Sequence, residues 1–204
     1  MAPSRTRRRK VLAILAGGVV VGIGAAYTLA NWNDSEFAGG TFSTGTFNLE
    51  GSLDNATYAD HATADAAAQL DAVEFVSETS NMSPGETAYD SFFVRLDEDT
   101  TVGGTVAQAS IAATGASDEF SYKVVALGPG EPCDASRIDL GTVLGEGATL
   151  TENTATGTID VAPGADGPGL AWQLCIEVQA AEDLTQGAAT TATWEFQATS
   201  ADAS

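Results

Sequence analysis

Alternating apolar and polar positions predict that most of this chain folds into β-strands. The clearest pattern runs from Leu170 to Val178, and its apolar positions are Leu170, Trp172, Leu174, Ile176 and Val178. A period of two is typical of a half-buried strand whose apolar side chains cover a core. Cys175 falls on the opposite face. We therefore expect its side chain to point away from the main core, toward a covering loop that holds Cys133.

A second clear strand is predicted from Thr190 to Thr199. Its inward positions are Ala192, Trp194, Phe196 and Ala198, and its outward positions are Thr193, Glu195, Gln197 and Thr199. The connection from the first strand, residues 181–187, ends in a glycine and is too long for a tight hairpin. Two neighbouring amphipathic strands joined by a loop predict antiparallel pairing between them.

Weaker alternation predicts further strands along the rest of the chain. They are Phe42–Leu49, Gln69–Val76, Tyr89–Leu96, Thr105–Ala113, Glu119–Leu127 and a short strand at Ile159 and Val161. Within Thr105–Ala113, the residues expected on one side are Ala107, Ala109 and Ile111. Glycine clusters at 128–130, 145–147 and 164–167 predict turns. Many short strands separated by turns are typical of an all-β fold, and we expect a jelly-roll-like antiparallel β-sandwich.

The first thirty residues have the layout of an export signal. Five basic residues in positions 5–10 precede an uncharged run from Val11 to Ala30. This is a basic n-region followed by an apolar h-region, here an N-terminal hydrophobic signal helix. The run ends in small residues, which predicts cleavage between Ala30 and Asn31. The alternative is a permanent anchor, because the run is long enough to span a bilayer. We expect residues 1–30 to be a signal peptide and residues 31–204 a single secreted β-sandwich domain.

The charge of the chain excludes one class of partner. It carries 8 basic and 28 acidic residues. Only three basic residues (Arg95, Lys123 and Arg137) follow the signal, so residues 31–204 carry a net charge of −25. Such a surface repels phosphate backbones and anionic lipid. We expect no nucleic-acid partner, and contact with a membrane only in the precursor.

The two cysteines, Cys133 and Cys175, are predicted to form a disulfide. Export would place them in an oxidising compartment, where pairing is the default. The bridge would close a loop of about 43 residues, to which the chain-entropy model assigns roughly 4 kcal/mol. Two cysteines and one histidine cannot supply the four ligands of a structural zinc site.

The sequence contains no recognisable catalytic constellation. His61 is the single histidine, and no Gly-x-Ser-x-Gly motif is present. A catalytic triad and a two-histidine zinc-peptidase motif therefore cannot be assembled. The acidic run of Asp97, Glu98 and Asp99 lacks the alternating ligands and central glycine of an EF-hand loop. We expect neither an enzyme nor a cofactor.

Two stretches near the N-terminus resemble a known export class. Gly22–Asp34 runs from a glycine-rich apolar segment through two alanines into Trp32 and Asn33, and Phe37–Leu49 follows with repeated Gly-x-Phe elements. This layout is similar to the alternate signal peptides that a dedicated, SipW-type signal peptidase cleaves. The resemblance implies a signal peptidase as a partner during export.

The remainder resembles the camelysin/TasA group of biofilm-matrix proteins. The resemblance lies in Met82–Glu86 leading into Phe92–Leu96, and in Gln186 and Gly187 leading into Trp194–Thr199. It implies a secreted jelly-roll domain at the cell surface that assembles into a homo-oligomer or fibre. Some members carry a metallopeptidase label, for which this sequence offers no ligand set. The alternative function is a monomeric secreted module that binds a glycan or another surface protein.

Cleavage would leave an assembly arm, residues 31–49, that is mostly uncharged. Its aromatic residues are Trp32, Phe37, Phe42 and Phe47. Its glycine and threonine content favours an extended strand, which could pair with an edge strand of a neighbouring subunit. Equally, the arm could form the first strand of its own domain.

Overall fold

The chain divides into two compact units, Met1–Ser43 and Thr44–Ser204. The structure, a computed structural model, describes residues 9–15, 45–70, 82–155 and 157–201. Residues 9–15 of the first unit are helical. Within the described ranges, no helix combines the length and the hydrophobicity needed to cross a bilayer.

The described part of the second unit is built from short antiparallel strands. They are β1 (Leu49–Ser52), β2 (Thr87–Leu96), β3 (Gly104–Gly115), β4 (Phe120–Leu127), β5 (Thr142–Gly147), β6 (Thr154–Ala155), β7 (Ile159–Val161), β8 (Trp172–Ala180) and β9 (Thr190–Ser200). Short 3₁₀ helices lie at Ala64–Ala66 and Ser117–Glu119.

These strands form two sheets. One has six strands in the order β1-β2-β8-β4-β5-β6, and the other has three in the order β7-β3-β9. All their pairings are antiparallel. The main core contains buried residues from both sheets, among them Leu174 of β8 and Val106 of β3. The prediction of an all-β antiparallel sandwich is confirmed, whereas the jelly-roll topology and the signal helix stay predictions.

The central strand β8 forms as its alternation predicts, except at its start. Leu174 and Ile176 are buried in the main core. Leu170, predicted to face inward, lies before the strand and is 75% exposed. Pairing with β2 ends at Trp172, which is opposite Val94. Because residue 170 lies beyond this ladder, the strand periodicity no longer controls its direction.

The predicted pairing of the last two strands with each other is wrong. β8 is flanked on both sides, by β2 and by β4. Neither of its edges remains for β9, which pairs with β3 instead. Residues 181–189 therefore carry the chain from one sheet to the other, which explains why this connection is longer than a hairpin loop.

A β-bulge in β3 overturns the predicted orientation of that strand. The register with β9 shifts between Gln108 and Ser110. Val106 and Gln108 are buried before the bulge, whereas Ile111 packs against the core after it. An extra residue in one strand reverses the alternation that follows. Consequently Ala107 and Ala109 do not share the inward face with Ile111.

The other predicted elements have mixed outcomes. The strands at 89–96, 119–127, 159–161 and 190–199 correspond to β2, β4, β7 and β9. The turn predicted at 145–147 is instead the end of β5. Residues 45–48 precede β1 without forming a strand, and Gln69 and Leu70 do not form one either. The rest of those two predicted strands, residues 42–44 and 71–76, lies outside the described residues.

Candidate functional site

The outer edge of β9 is the longest sheet edge left open by the described residues. β9 has 11 residues and pairs with β3 along its length. It is the last strand of its sheet, and none of the described residues pairs with its other side. In an antiparallel strand, alternate residues direct both backbone hydrogen-bonding groups toward the same neighbour. Every second residue of β9 therefore presents its N–H and C=O groups to this open edge.

β9 lacks the features that usually block the edge of a sheet. It contains no proline and no lysine, and its one charged residue is Glu195. Exposed edges are commonly blocked by prolines, by several charges or by short strand length. The Glu195 carboxylate lies on the solvent face, where the Ser110 hydroxyl donates a hydrogen bond of 2.7 Å to it. One charge at the middle of an eleven-residue edge is weak protection against pairing with another strand.

The other end strands of the described sheets are short or partly covered, and β3 is paired on its β7 side only from Gly104 to Val106. β6 and β7 have only two and three residues. β1 has four residues, and Gly51 exchanges two backbone hydrogen bonds of 2.9 Å with Ala59 on its outer side. The β9 edge is therefore the surface of the described domain that best fits strand addition.

Aromatic side chains lie beneath this edge and are only half-buried. The ring of Phe196 stacks against that of Phe92 from the opposite sheet, with centroids 6.0 Å apart. Trp194 meets Tyr122 edge to face at the same distance. Trp194, Phe196 and Phe92 all keep intermediate exposure. The apolar core is thus incompletely covered along β9, and a strand added there would shield it further.

Most of the predicted arm lies outside the described residues, and its last part belongs to this domain. Ala30, Asn31, Trp32, Phe37 and Phe42 are among the residues not described. The final aromatic residue of the arm, at position 47, is half-buried and packs against the main core.

Backbone contacts fix the same stretch. The N–H of Thr101 donates to the carbonyl of Thr46 at 3.0 Å, and the N–H of Asn48 donates to the Thr100 hydroxyl at 2.9 Å. Residues 46–48 are therefore held by the turn after β2. Any part of the arm that reaches another subunit must end before Thr46.

The predicted disulfide is present and covers the outer face of the six-stranded sheet. Cys133 and Cys175 are bonded, with their Cα atoms 5.2 Å apart. Cys175 is fully buried in a second cluster with Val125 and Ile138. The loop 128–141 covers this cluster on the side away from the main core, as the alternation in β8 predicts.

A polar cleft lies beside β1 and the turn after β2. Its volume is about 480 Å³. The side-chain amide of Asn48 donates to Asp60 at 2.9 Å and to Asp97 at 3.1 Å. The Arg95 guanidinium pairs with Glu50 at 2.6 Å and lies 3.7 Å from the centre of the Tyr58 ring. Carboxylates and an amide around a cleft can bind a ligand rich in hydroxyl groups.

In the acidic run beside this cleft, Asp97 accepts a hydrogen bond within the turn after β2. A hydrogen bond from the Thr100 side chain is the main cause that lowers the pKa of Asp97 below its ordinary value. In the described part of the chain, no group of three or more His, Cys, Asp or Glu side chains is arranged to hold a metal ion. His61 contacts the Ala66 carbonyl at 3.0 Å. Its ring centroid lies 6.2 Å from that of Phe92.

Neither a protein-family model nor a curated protein matches this chain. The sequence patterns identified the disulfide pair and the two faces of β9, but not the position of β9 at an open edge. One further sequence pattern bears on this edge. The residue types of β9 repeat in reverse order on either side of Glu195.

Proposed function

We propose that this protein is a secreted, acidic structural protein of the cell surface or biofilm matrix, built on a jelly-roll-type sandwich, whose subunits associate by strand pairing. The observation that carries the proposal is the open edge of β9, eleven residues long with a single charge. Strand addition to such an edge gives affinity through main-chain hydrogen bonds.

The arm supplies the expected means of forming fibres. After cleavage behind Ala30, residues 31–45 would precede Thr46, where the described residues are first held to the domain by backbone hydrogen bonds. An extended segment of this length can reach an edge strand of a neighbouring subunit. Head-to-tail addition of this kind closes into a ring only if the rotation from one subunit to the next fits a closed symmetry. Otherwise it produces a filament.

Charge sets the conditions for assembly. Residues 31–204 carry a net charge of −25. Subunits of that charge repel one another until salt screens the repulsion, and the screening length falls to about 8 Å at physiological ionic strength. We expect monomers at low salt, and polymers at higher ionic strength, at lower pH or with calcium.

Deletion of Asn31–Gly40 tests this proposal. The deleted protein should keep the circular dichroism and melting temperature of the mature protein but form no polymers in electron micrographs under the three assembly conditions. Replacement of the same ten residues by a Gly-Ser segment of equal length is the matched control for chain length. The proposal is wrong if the deleted protein polymerises as well as the mature chain, or if neither polymerises under any of these conditions.

A monomeric binding module is the second candidate, and the polar cleft favours it. The cleft combines hydrogen-bonding side chains at Asn48 and Asp60 with the Tyr58 ring. Glycan-array binding that is lost in Asn48→Ala, by a protein that remains monomeric under all assembly conditions, would favour this function over the structural one. We propose no enzymatic activity, and zinc-stimulated proteolysis by purified protein would contradict that view.

A further inference from the structure

Strand β9 is self-complementary about its central residue. Its sequence from Thr190 to Ser200 places Glu195 at the midpoint of eleven residues. Residues at equal distances from Glu195 match in type. The matched pairs are Trp194 with Phe196, Thr193 with Gln197, Ala192 with Ala198, Thr191 with Thr199 and Thr190 with Ser200.

We infer that the open edge of β9 pairs with β9 of a second copy, antiparallel and across a twofold axis through Glu195. This inference rests on the proposed function only in naming β9 as the edge where copies meet. Twofold pairing brings each residue opposite the residue of the second copy that lies at the same distance on the other side of Glu195. Each such contact occurs twice with the two copies exchanged, which is the defining property of an isologous interface. The two three-stranded sheets would then form one continuous six-stranded sheet.

Each face of that joined sheet gains matched neighbours. On the core side, Trp194 would lie beside Phe196 of the second copy, and the reverse pair would repeat the contact. Both rings are half-buried in the single subunit. Aromatic cross-strand pairs stabilise an antiparallel sheet, and so do the Thr–Thr pairs that Thr191 and Thr199 would make on the solvent side.

An arm from a neighbouring subunit would give none of this matching. An extended segment added to β9 needs only its backbone groups, so it sets no requirement on the order of side chains in β9. The reversed order of residue types about Glu195 brings like types opposite each other only in a twofold contact of β9 with itself. For this reason we assign the second copy of β9, rather than an arm, to this edge, and an arm that forms fibres then adds to a different edge of the neighbouring subunit.

Glu195 regulates the contact. The twofold axis places the two Glu195 carboxylates opposite each other on the solvent face, and like charges directly opposite destabilise a strand pair. The hydrogen bond from Ser110 holds each carboxylate on this face. Neutralising Glu195 therefore strengthens the dimer, and so does screening by salt.

Two double variants at exposed positions test the register. Thr191→Lys/Thr199→Lys places lysine opposite lysine twice in the twofold dimer, and Thr191→Lys/Thr199→Glu places lysine opposite glutamate twice. The protein is purified from cells that express the full chain, and its association is measured by sedimentation velocity at physiological salt. The wild type should be a reversible dimer, the first double variant a monomer, and the second a dimer. General charge effects predict the opposite result. The two added lysines of the first variant reduce the net negative charge, so the first variant should associate more strongly than the second if only overall charge matters.

Glu195→Gln tests the central contact, and Glu152→Gln is its matched control at an exposed position outside β9. Removing one like-charge pair should tighten the dimer up to about fivefold, since cross-strand charge pairs contribute at most about 1 kcal/mol and 1.4 kcal/mol is a factor of ten. Glu152→Gln should leave the dissociation constant unchanged.

Equal association of the two double variants would overturn the register. A wild type and a Glu195→Gln variant that both stay monomeric would overturn the dimer.

The outcome also separates this inference from the proposed function. Deletion of Asn31–Gly40 should remove polymers but leave the dimer. Polymers that form while the subunits show no β9 contact would overturn the inference and leave the structural role standing. Dimers without polymers would support the inference and contradict fibre formation.

Discussion

Gln108 of β3 donates a hydrogen bond of 2.7 Å to the hydroxyl of Tyr122 on β4, which joins the two sheets inside the core. Gln108 is 1% exposed, and its Nε2 also donates to Asn153 at 3.1 Å. Burial is the main cause that raises the pKa of Tyr122. A polar group in such a place stabilises the fold only while its partners are kept, because an unsatisfied buried group costs about 1–3 kcal/mol.

Gly145→Ala should disturb this network and destabilise the domain. A Cβ at position 145 would overlap with the amide group of Gln108 and would lie 2.9 Å from its Nε2. Gln108 would have to move away from Tyr122. We expect a loss of about 1–3 kcal/mol in the free energy of unfolding, measured by urea denaturation, since overpacking and a broken buried hydrogen bond each cost that order.

A control and a double variant make this prediction specific. At Gly128, an added Cβ meets only the Glu131 side chain at 3.9 Å, so Gly128→Ala should stay within about 0.5 kcal/mol of the wild type. Gln108→Ala removes the group that the new methyl would strike. Gly145→Ala should therefore cost less in the Gln108→Ala background. Equal costs in both backgrounds would contradict the steric account.

The same residues show where sequence patterns fail to predict this fold. Alternation identifies β8 and β9 because each keeps one face on the core along its whole length. It fails in β3, where the bulge after Gln108 reverses the faces. It fails at Gly145, because a glycine that provides space for a buried side chain looks like a turn residue in the sequence. Tertiary contacts decide both cases, and a local pattern does not contain them.

Loss of the disulfide should lower the melting temperature by roughly 8–16 °C. The double variant Cys133→Ala/Cys175→Ala removes a bridge between residues 42 positions apart. The chain-entropy model gives it roughly 4 kcal/mol, and each kcal/mol shifts a domain of this size by about 2–4 °C. The loop 128–141 should become the first region to exchange amide hydrogen, because its residue 133 loses the covalent link to β8.

Mass spectrometry checks the bond itself. The intact mass of native protein should not change on alkylation before reduction, and it should rise by two alkyl groups afterwards. Free alkylation of both thiols in the native secreted protein would show that the bond does not form. A melting temperature unchanged in the double variant would show that the bond contributes little to the stability of the domain.

Processing should occur between Ala30 and Asn31. The apolar run from Val11 ends there in small residues, which signal peptidases require next to the cleaved bond. N-terminal sequencing of protein from the culture medium should begin at Asn31 or within a few residues of it. Recovery of the chain only in membrane fractions, with its basic N-terminus intact, would instead indicate a permanent anchor.

The candidate site could be predicted from the sequence only in part. The alternation of β9 predicts which of its residues face the core, and the cysteine count predicts the bridge. Neither predicts that β9 lies at an open edge, because that position depends on β2 and β4 occupying both sides of β8. Sheet order arises from long-range pairing, to which a period of two gives no clue.

Tyr89 should make the domain sensitive to alkali. Burial, followed by a hydrogen bond to Glu177, raises the pKa of Tyr89 from 10.0 to about 12. Tyr89 and Glu177 are opposite each other in the ladder between β2 and β8. A raised pKa in the folded state means that this stabilisation is complete below pH 10, and is lost as the pH rises from 10 toward 12. Tyr89→Phe should therefore unfold at a higher pH than the wild type.

Glu177→Gln should move the ultraviolet titration of Tyr89 back toward pH 10, because it removes the carboxylate that opposes the phenolate. An alkaline titration that is unchanged in Glu177→Gln would show that this carboxylate does not control Tyr89.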